Sequence, residues 1–265
     1  MLNLKQIEKT FYKGTPDEKR AIDNVSLTLE EGDFVTVIGS NGAGKSTLLN
    51  LIAGVLFPDQ GLMAVDDLNM TYLPEHKRSK WIGRVFQDPM AGTAPHMTIE
   101  ENLALALGRT KKRGLGRGVS SSRKKEFKKL LQDMNVNLHD RLTTQVGLLS
   151  GGERQALSLL MATFTEPRIL LLDEHTAALD PARAEHITSI TRDVVNQHQL
   201  TTLMVTHDME QALSLGNRLI MMDEGKIIFH ADREEKKKLT VADLLEAFQK
   251  ARGKSLADDK TLLQK

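Results

Sequence analysis

The sequence predicts an α/β protein built around a parallel sheet. Apolar β-type runs alternate with helical runs, a glycine-rich loop joins one strand to one helix, and a later apolar strand ends in two acids. Strands that alternate with helices are typical of a parallel sheet. The chain has 265 residues, of which 27% are charged and 40% hydrophobic, as in ordinary globular proteins.

The first half of the chain carries most of the strand signals. Residues 1–30 predict short strands around a turn at 13–17. Short strand-like pieces follow within residues 62–87. Residues 98–145 look helical, apart from a loop expected at 108–122, which is rich in Gly, Ser and Arg.

The second half continues the alternation. A helix face within residues 156–164 ends before Glu166 and Pro167, because the residue before a proline avoids the helical conformation. Strands are then expected at residues 168–173 and 201–206, and a hairpin is expected at 219–229. A C-terminal amphipathic helix is expected at about 241–251.

Composition excludes several classes of function. The chain has no cysteine, which rules out disulfides and thiolate metal sites and is compatible with a reducing compartment. The N-terminus lacks the apolar core of a signal peptide, and no apolar run approaches the roughly 18 residues that span a bilayer. We therefore expect that any membrane role is exerted from a soluble position. The net charge of +1 gives no global attraction to nucleic acid.

The glycine-rich loop follows the β-type run 34–38 and precedes the helical run 48–53. It reads G-x-x-x-x-G-K-[ST], and its glycines allow consecutive N–H groups to point inward toward an anion at a helix N-terminus. Lys45 should reach the β- and γ-phosphates of a nucleoside triphosphate, and the Ser46 hydroxyl should ligate Mg²⁺. The loop residues are Gly39, Ser40, Asn41, Gly42, Ala43, Gly44, Lys45, Ser46 and Thr47.

Asp173 and Glu174 end the apolar run 168–173. A carboxylate there can hold Mg²⁺, usually through water, and its neighbour can polarise an attacking water. Without other motifs, an Asp-Glu pair after a strand is a solvated strand end about as often as it is a metal site. The phosphate-binding loop upstream favours the metal and water roles.

Ser150 and Glu153 fit the S-x-x-E capping box, so one interpretation is a well-capped helix. The intervening Gly151 and Gly152 at a helix N-terminus also suit a second anion site. One complete phosphate loop and one spare anion site suggest a site shared across a dimer.

Taken with Gln87, residues 178–180 and His207, these motifs occur in the order seen in ABC transporter ATPases. The sequence resembles that family over about residues 2–230. The resemblance implies a P-loop NTPase (RecA-like) core with an antiparallel β subdomain. It also implies an ATPase domain at 1–232 with an α-helical subdomain inserted at about 88–153, followed by a charged helical tail at 233–265.

The resemblance assigns roles within one subunit. Phe11 matches the aromatic that stacks on adenine, with Tyr12 as the nearby alternative. Gln87 matches the residue that senses Mg²⁺ and the attacking water and links to the permease. Glu174 would activate water, and His207 would contact the γ-phosphate. The catalytic set is then Lys45, Gln87, Glu174 and His207, and the Mg²⁺ set is Ser46, Gln87 and Asp173.

Other roles would act across a dimer. Ser150, Gly151 and Gly152 resemble the signature that contacts the γ-phosphate of the opposite subunit, and Asp180 resembles the acid that couples the two sites. His175 departs from the family, which usually has Pro after the catalytic Glu. We expect His175 to be a subfamily variant that packs locally, without effect on hydrolysis.

The resemblance implies an ATP-hydrolysing subunit, peripheral on the cytoplasmic side of the membrane. It would act as a homodimer with two ATP molecules sandwiched head to tail, and would drive a membrane permease. The sequence around His175 resembles import ATPases paired with a permease and a substrate-binding lipoprotein, for which amino acids are a plausible cargo. Alternatives are an exporter or lipoprotein-release ATPase, a non-transport ATPase acting on DNA or ribosomes, and a nucleotide-gated module without hydrolysis.

Two segments suggest external contacts. Residues 88–98 resemble the groove that receives a permease helix, where Met90 and Met97 could give adaptable apolar contacts. Residues 109–129 hold ten Lys or Arg and one acid. A solvated loop is the simplest interpretation of this basic segment, and anionic lipid headgroups are the next. Nucleic acid is not expected as a partner, because no aromatic residues interleave for stacking.

Overall fold

The computed structural model describes residues 1–109, 118–134 and 136–252, and these fall into two compact units. The first unit holds Met1–Arg78 and the described residues from Thr201 onward; the second holds those of Ser79–Leu200. The strands are β1 (Leu2–Phe11), β2 (Lys19–Leu29), β3 (Phe34–Gly39), β4 (Gln60–Val65), β5 (Leu68–Asn69), β6 (Ile82–Val85), β7 (Ile169–Asp173), β8 (Thr201–Val205), β9 (Arg218–Asp223) and β10 (Lys226–Ala231). The helices are α1 (Lys45–Ala53), α2 (Glu75–Arg78), α3 (Ile99–Leu107), α4 (Ser121–Asp133), α5 (Gly151–Thr163), α6 (Pro181–His198), α7 (Met209–Ser214), α8 (Arg233–Lys236) and α9 (Val241–Arg252).

The first unit contains an antiparallel sheet with strand order β2-β1-β4-β5. Apolar residues alternate along β1 and β2, so one face of the sheet is buried, as at Leu2, Leu4 and Ile7. The sheet confirms the expected strands around a turn and the antiparallel β subdomain.

The same unit contains a second run of strands, in the order β10-β9-β3-β8. Strand β3 pairs in parallel with both β8 and β9, and β10 closes an antiparallel hairpin with β9. Five consecutive residues of β3, Phe34–Ile38, are buried, as expected for a strand covered on both faces. The parallel sheet and the hairpin at residues 219–229 are confirmed. Ligands bind at the carboxyl ends of such strands, and β3 ends at Gly39.

The second unit pairs β6 with β7 in parallel, and its described residues include the α-helices α3, α4, α5 and α6. Helix α3 begins at a capping box in which the Thr98 hydroxyl and the Glu101 side chain satisfy each other's backbone N–H. Strand β7 buries Ile169–Leu172 and ends in the half-buried Asp173. The bounds of an inserted helical subdomain at 88–153 and of an ATPase domain at 1–232 stay predictions.

The helical expectation for residues 98–145 was too broad. Helix α4 begins at Ser121, inside the expected loop, because the Ser120 hydroxyl accepts a hydrogen bond from the Arg123 N–H and caps it. Residues 136–145 are turns rather than helix, and Leu138 and Leu142 are buried from those turns. Part of the basic segment, residues 110–117, lies outside the described residues.

The C-terminal helix expected at about 241–251 is confirmed as α9. Its Leu244 and Phe248 join a buried cluster with Ile38 of β3, Ala212 of α7 and Leu219 of β9. Residues 253–265 of the expected tail lie outside the described residues. Among the described helices, none is long and apolar enough to cross a membrane.

Candidate nucleotide-binding site

The phosphate-binding loop connects β3 to α1. Gly39 has φ 152°, and a Cβ there would lie 2.1 Å from the Met222 carbonyl oxygen on β9. Gly44, which caps α1, has φ 101°, and its Cβ would lie 2.4 Å from the Ala21 carbonyl oxygen. Both positions therefore require glycine, because the left-handed backbone and the neighbouring carbonyls leave no room for a side chain.

Lys45 lies over this loop. Its Nζ donates to the Gly39 carbonyl oxygen at 2.7 Å and to the Ser40 carbonyl oxygen at 3.0 Å, and the residue is only 6% exposed. Ser46, on the next position of α1, is exposed. The Lys45 ammonium is thus held at the mouth of the loop, where phosphate oxygens can replace the carbonyls as acceptors.

The β9–β10 hairpin supports the loop from beneath. The Ser40 hydroxyl donates to the Asp223 carboxylate at 2.7 Å, and both residues are buried. The Gly225 N–H donates to the Ala43 carbonyl oxygen at 3.0 Å. Sequence reasoning missed Asp223 as a support, although an acid at the end of an apolar strand was visible in the predicted hairpin.

His207 is exposed in the short connection between β8 and α7. The turn around it is tightly bonded: the Thr206 hydroxyl donates to the Gln211 side-chain oxygen at 2.7 Å and accepts from the Asp208 N–H at 3.1 Å. The Asp208 carboxylate in turn caps α7 through the Gln211 N–H. The backbone on both sides of His207 is therefore fixed.

Phe11 ends β1 in a half-buried position, with the Lys9 Nζ 6.0 Å from its ring centroid. Tyr12 follows it and is 71% exposed, with φ 53°. Adenine stacking on Phe11 stays a prediction.

In the second unit, Asp173 is paired with Arg84. The Arg84 Nη2 lies 3.0 Å from the Asp173 Oδ2, and its guanidinium lies 4.6 Å from the centroid of the Phe86 ring. This pair holds the carboxylate in one orientation. Sequence reasoning missed Arg84, although a lone arginine in the otherwise apolar β6 was a signal.

Glu174 and Gln87, predicted separately, lie in contact. The Gln87 Nε2 donates to the Glu174 Oε2 at 3.3 Å. Glu174 has φ 44°, a left-handed conformation that is uncommon outside glycine and concentrates at functional sites. The Gln155 side chain, which is 1% exposed, donates to the Phe86 carbonyl oxygen at 3.4 Å and so supports the segment that carries Gln87.

The signature segment forms the capping box expected of it. The Ser150 hydroxyl accepts from the Glu153 N–H at 3.3 Å, and the Glu153 carboxylate accepts from the Ser150 N–H at 2.8 Å. Burial acts to raise the pKa of Glu153, but the Ser150 hydrogen bonds and Arg141, 2.7 Å away, hold it below its ordinary value. The capping interpretation is confirmed, while the cross-subunit role of Ser150 stays a prediction.

Asp180 lies near this signature. It caps α6 through the Arg183 N–H, and its carboxylate is 3.3 Å from the Arg183 Nε. A Cβ on Gly152 would lie 3.3 Å from the Arg183 Cδ. Arg183 thus connects the Asp180 position to Gly152, while Asp180 itself remains exposed.

His175, the departure from the family pattern, packs locally as expected. It is 2% exposed, and its Nε2 lies 3.0 Å from the Thr191 hydroxyl. That hydroxyl already donates to the Ile187 carbonyl oxygen at 2.8 Å, so His175 must donate from Nε2. Burial lowers the pKa of His175 to about 4, and the ring is therefore neutral near pH 7.

The donor chemistry suits Mg²⁺. Within the part of the chain that the structure describes, no group of three His, Cys, Asp or Glu side chains could hold a metal ion by itself. Mg²⁺ typically takes one or two protein oxygens and completes its shell with waters and phosphate oxygens. The Ser46 hydroxyl and the Asp173 carboxylate are each oxygen donors of this kind, and their roles as Mg²⁺ ligands stay predictions.

The predicted site residues are divided between the units. The first unit holds Phe11, the phosphate loop 39–47 and His207. The second unit holds the others: Gln87, Ser150, Gly151, Gly152, Asp173, Glu174 and Asp180. These features define a P-loop nucleoside triphosphatase: a phosphate loop follows one parallel strand, and an acid pair ends another.

Comparison with known proteins agrees with this class. A family model described as ABC transporter matches residues 22–177. The tyrosine transport ATP-binding protein of Clostridioides difficile (strain R20291) is 42% identical over 251 residues, which is 95% of this chain and 100% of that protein. The thiamine import ATP-binding protein ThiQ of Escherichia coli (strain UTI89 / UPEC) is 36% identical over 211 residues, or 79% of this chain and 85% of that protein.

Solved structures give the same result. The ATP-binding cassette MJ0796, in a dimeric post-hydrolysis state bound to ADP and Pi, matches with a TM-score of 0.75 and 29% identity, over 88% of this chain and 98% of that one. The ADP conformation of the cassette MJ1267 also has a TM-score of 0.75, with 27% identity over 94% of this chain and 98% of that one. The chain belongs to the ABC transporter family, and it is an ATP-binding cassette with ATPase activity.

Proposed function

We propose that the chain is the ATP-hydrolysing subunit of an import-type ABC transporter that carries an amino acid. It acts as a homodimer on the cytoplasmic side of the membrane, bound to permease subunits that work with a substrate-binding lipoprotein. The observation that carries this proposal is the 42% identity to a tyrosine transport ATP-binding protein, which extends over 95% of this chain. The thiamine and sugar import relatives have lower identities, at 36% and 31%.

The chemistry follows from the residues described above. Lys45 and the loop N–H groups hold the β- and γ-phosphates of ATP. Ser46, Gln87 and Asp173 would hold Mg²⁺, which would offset the negative charge on the phosphate oxygens. Glu174 takes a proton from the attacking water.

The geometry around Glu174 supports its proposed role. Its backbone is left-handed, and Gln87 donates to its carboxylate. A carboxylate that accepts this hydrogen bond is oriented before the water arrives, which lowers the cost of reaching the reactive geometry. Gln87 contacts Glu174 and directly precedes the 88–98 segment in the chain, which supports a role in reporting the state of the site to the permease.

The signature needs a second copy of the chain. Ser150, Gly151 and Gly152 form the N-terminal end of the thirteen-residue helix α5, whose N–H groups favour anions. We assign this end to the γ-phosphate held by the opposite subunit. A dimeric cassette of the same fold, MJ0796 bound to ADP and Pi, supports the assignment.

The permease contact is proposed for the 88–98 segment of the second unit. Met90 is 38% exposed at its start, and Leu105 on α3 and Leu148 before the signature are 53% and 73% exposed. Met97 is partly exposed on the same segment, and exposed apolar side chains of this kind support contact with a permease helix.

Association driven by ATP tests the homodimer. The Glu174→Gln variant should bind ATP without turning it over, so it should become a dimer when ATP and Mg²⁺ are added, as measured by analytical ultracentrifugation. The matched control is Glu185→Gln, which changes an exposed acid on α6 and should behave as the wild type. A Glu174→Gln variant that stays monomeric in saturating ATP would contradict the sandwiched dimer.

Uptake tests the cargo. Cells that lack this chain should lose uptake of labelled tyrosine while keeping uptake of labelled thiamine. The wild-type chain should restore tyrosine uptake, and the Lys45→Ala variant should not. Unchanged tyrosine uptake in the deletion strain would exclude tyrosine as the cargo, and lost thiamine uptake would move the assignment to that import class.

A further inference from the structure

Four residues of the C-terminal helices α8 and α9 contact the rest of the first unit, and we call them the C-terminal clasp: Arg233, Lys236, Leu244 and Phe248. Lys236 is only 5% exposed, which is unusual for a lysine. Its Nζ donates to the Thr36 hydroxyl at 3.1 Å, to the Arg218 carbonyl oxygen at 3.3 Å and to the Leu215 carbonyl oxygen. Burial among these neutral acceptors lowers the pKa of Lys236 to about 8.

These acceptors belong to three different elements. Thr36 lies in β3, three residues before Gly39; Leu215 directly follows α7; and Arg218 begins β9. The Thr36 hydroxyl also links β3 directly to α7, because it donates to the Ala212 carbonyl oxygen at 3.0 Å. Lys236 therefore ties the C-terminal end of α7 to the strand that leads into the phosphate loop.

The other members of the clasp hold the same elements. Arg233 lies 3.2 Å from the carboxylate of Asp33, which precedes β3 and is also 2.6 Å from Arg218. Leu244 and Phe248 pack into the cluster that contains Ile38 and Ala212. Both charge pairing and apolar burial thus bind the clasp to β3 and α7.

Helix α7 has only six residues and begins two residues after His207. Its first turn is capped by Asp208, and the carbonyl of Leu215, the residue that follows the helix, accepts from Lys236. Because α7 has only six residues, little chain separates Leu215 from the turn that carries His207.

We propose that the C-terminal clasp is a positioning device for hydrolysis, in which Lys236 acts through α7 to set the position of His207. Lys236 is a positioning residue rather than a catalytic one. The inference rests on the proposed contact of His207 with the γ-phosphate. It adds a role for the C-terminal helices of the chain in turnover.

A double-mutant cycle on the full-length chain tests this positioning role, with kcat measured for ATP in the presence of Mg²⁺. Lys236→Met should lower kcat by about tenfold, since small displacements of a catalytic group are costly, with the KM for ATP changed by less than about twofold. In a His207→Ala background, Lys236→Met should change kcat by less than about twofold, because its effect passes through His207. The control is Lys237→Met, which removes the neighbouring exposed lysine and should leave kcat unchanged in both backgrounds.

A lysine with a merely structural role gives a different result. Lys236→Met would then lower kcat by the same factor in both backgrounds, and the inference would be wrong. If His207→Ala alone retained wild-type turnover, the proposed function of His207 would fail first, and the inference with it. Should Lys236→Met not fold, Thr36→Val removes the hydroxyl that Lys236 contacts while keeping the side-chain shape, and the same cycle applies.

Discussion

Acidification should destabilise this protein through one buried histidine. His175 is neutral when folded, because burial lowers its pKa to about 4 from an ordinary value of 6.5. The unfolded chain binds a proton at His175 as the pH falls through 6.5, whereas the folded chain does not until about pH 4. The stability from the neutral ring is therefore complete above pH 6.5 and is lost progressively below it.

The magnitude follows from the same two values. Linkage between a pKa of about 4 and one of 6.5 gives a loss of about 1.4 kcal/mol at pH 5.5 and about 2.6 kcal/mol at pH 4.5. The measurement is the free energy of unfolding in urea at pH 7, 5.5 and 4.5 for the wild type and for His175→Gln. Glutamine keeps an N–H donor for the Thr191 hydroxyl but does not titrate.

The comparison between the two proteins isolates His175. Carboxylates with lowered pKa values, such as Asp33 and Asp59, also lose stability in acid, but they do so equally in both proteins. The wild type should lose about 2.4 kcal/mol more than His175→Gln between pH 7 and 4.5, because about 0.2 kcal/mol is already lost at pH 7. Equal losses in the two proteins would refute the account of a buried neutral His175.

Two further perturbations test the contacts that support the phosphate loop and the end of the helix α1 that follows it. Asp223→Ala removes the acceptor of the Ser40 hydroxyl and should weaken ATP binding by about fivefold, as measured by titration calorimetry. Asp223→Asn keeps an acceptor and should lose less affinity. Equal ATP affinities of Asp223→Ala and the wild type would contradict this support. Arg78→Met removes donors to the carbonyls of Leu51 and Ile52 at the end of α1 and should cost about 2–4 kcal/mol in urea unfolding. An Arg78→Met variant as stable as Lys77→Met, which changes an exposed neighbour, would show that the guanidinium does not cap α1.

Much of the fold could be predicted because its signals are local. The glycine-rich loop lies between a buried strand and a helix, and each part of that arrangement is written in consecutive residues. The capping box at Ser150 and Glu153 likewise depends on a four-residue pattern. The helical expectation came from leucines and a phenylalanine at helical spacings within α3 and α4, and it was extended too far, because residues 136–145 form turns.

The supports of the site could not be predicted, because they depend on contacts between distant residues. Ser40 and Asp223 are 183 residues apart, and Arg84 and Asp173 are 89 apart. The insertion of Lys236 beneath β3 joins positions 200 apart. Nothing in the local pattern around any of these residues names its partner.

ATP turnover by Glu174→Gln tests the central claim most directly. The variant keeps the shape of the side chain and its contact with Gln87 but cannot take a proton from water. Binding of ATP with Mg²⁺ should stay within about twofold of the wild type, while kcat should fall by at least about a hundredfold. Turnover at the wild-type rate with normal ATP binding would contradict the assignment of Glu174 as the base.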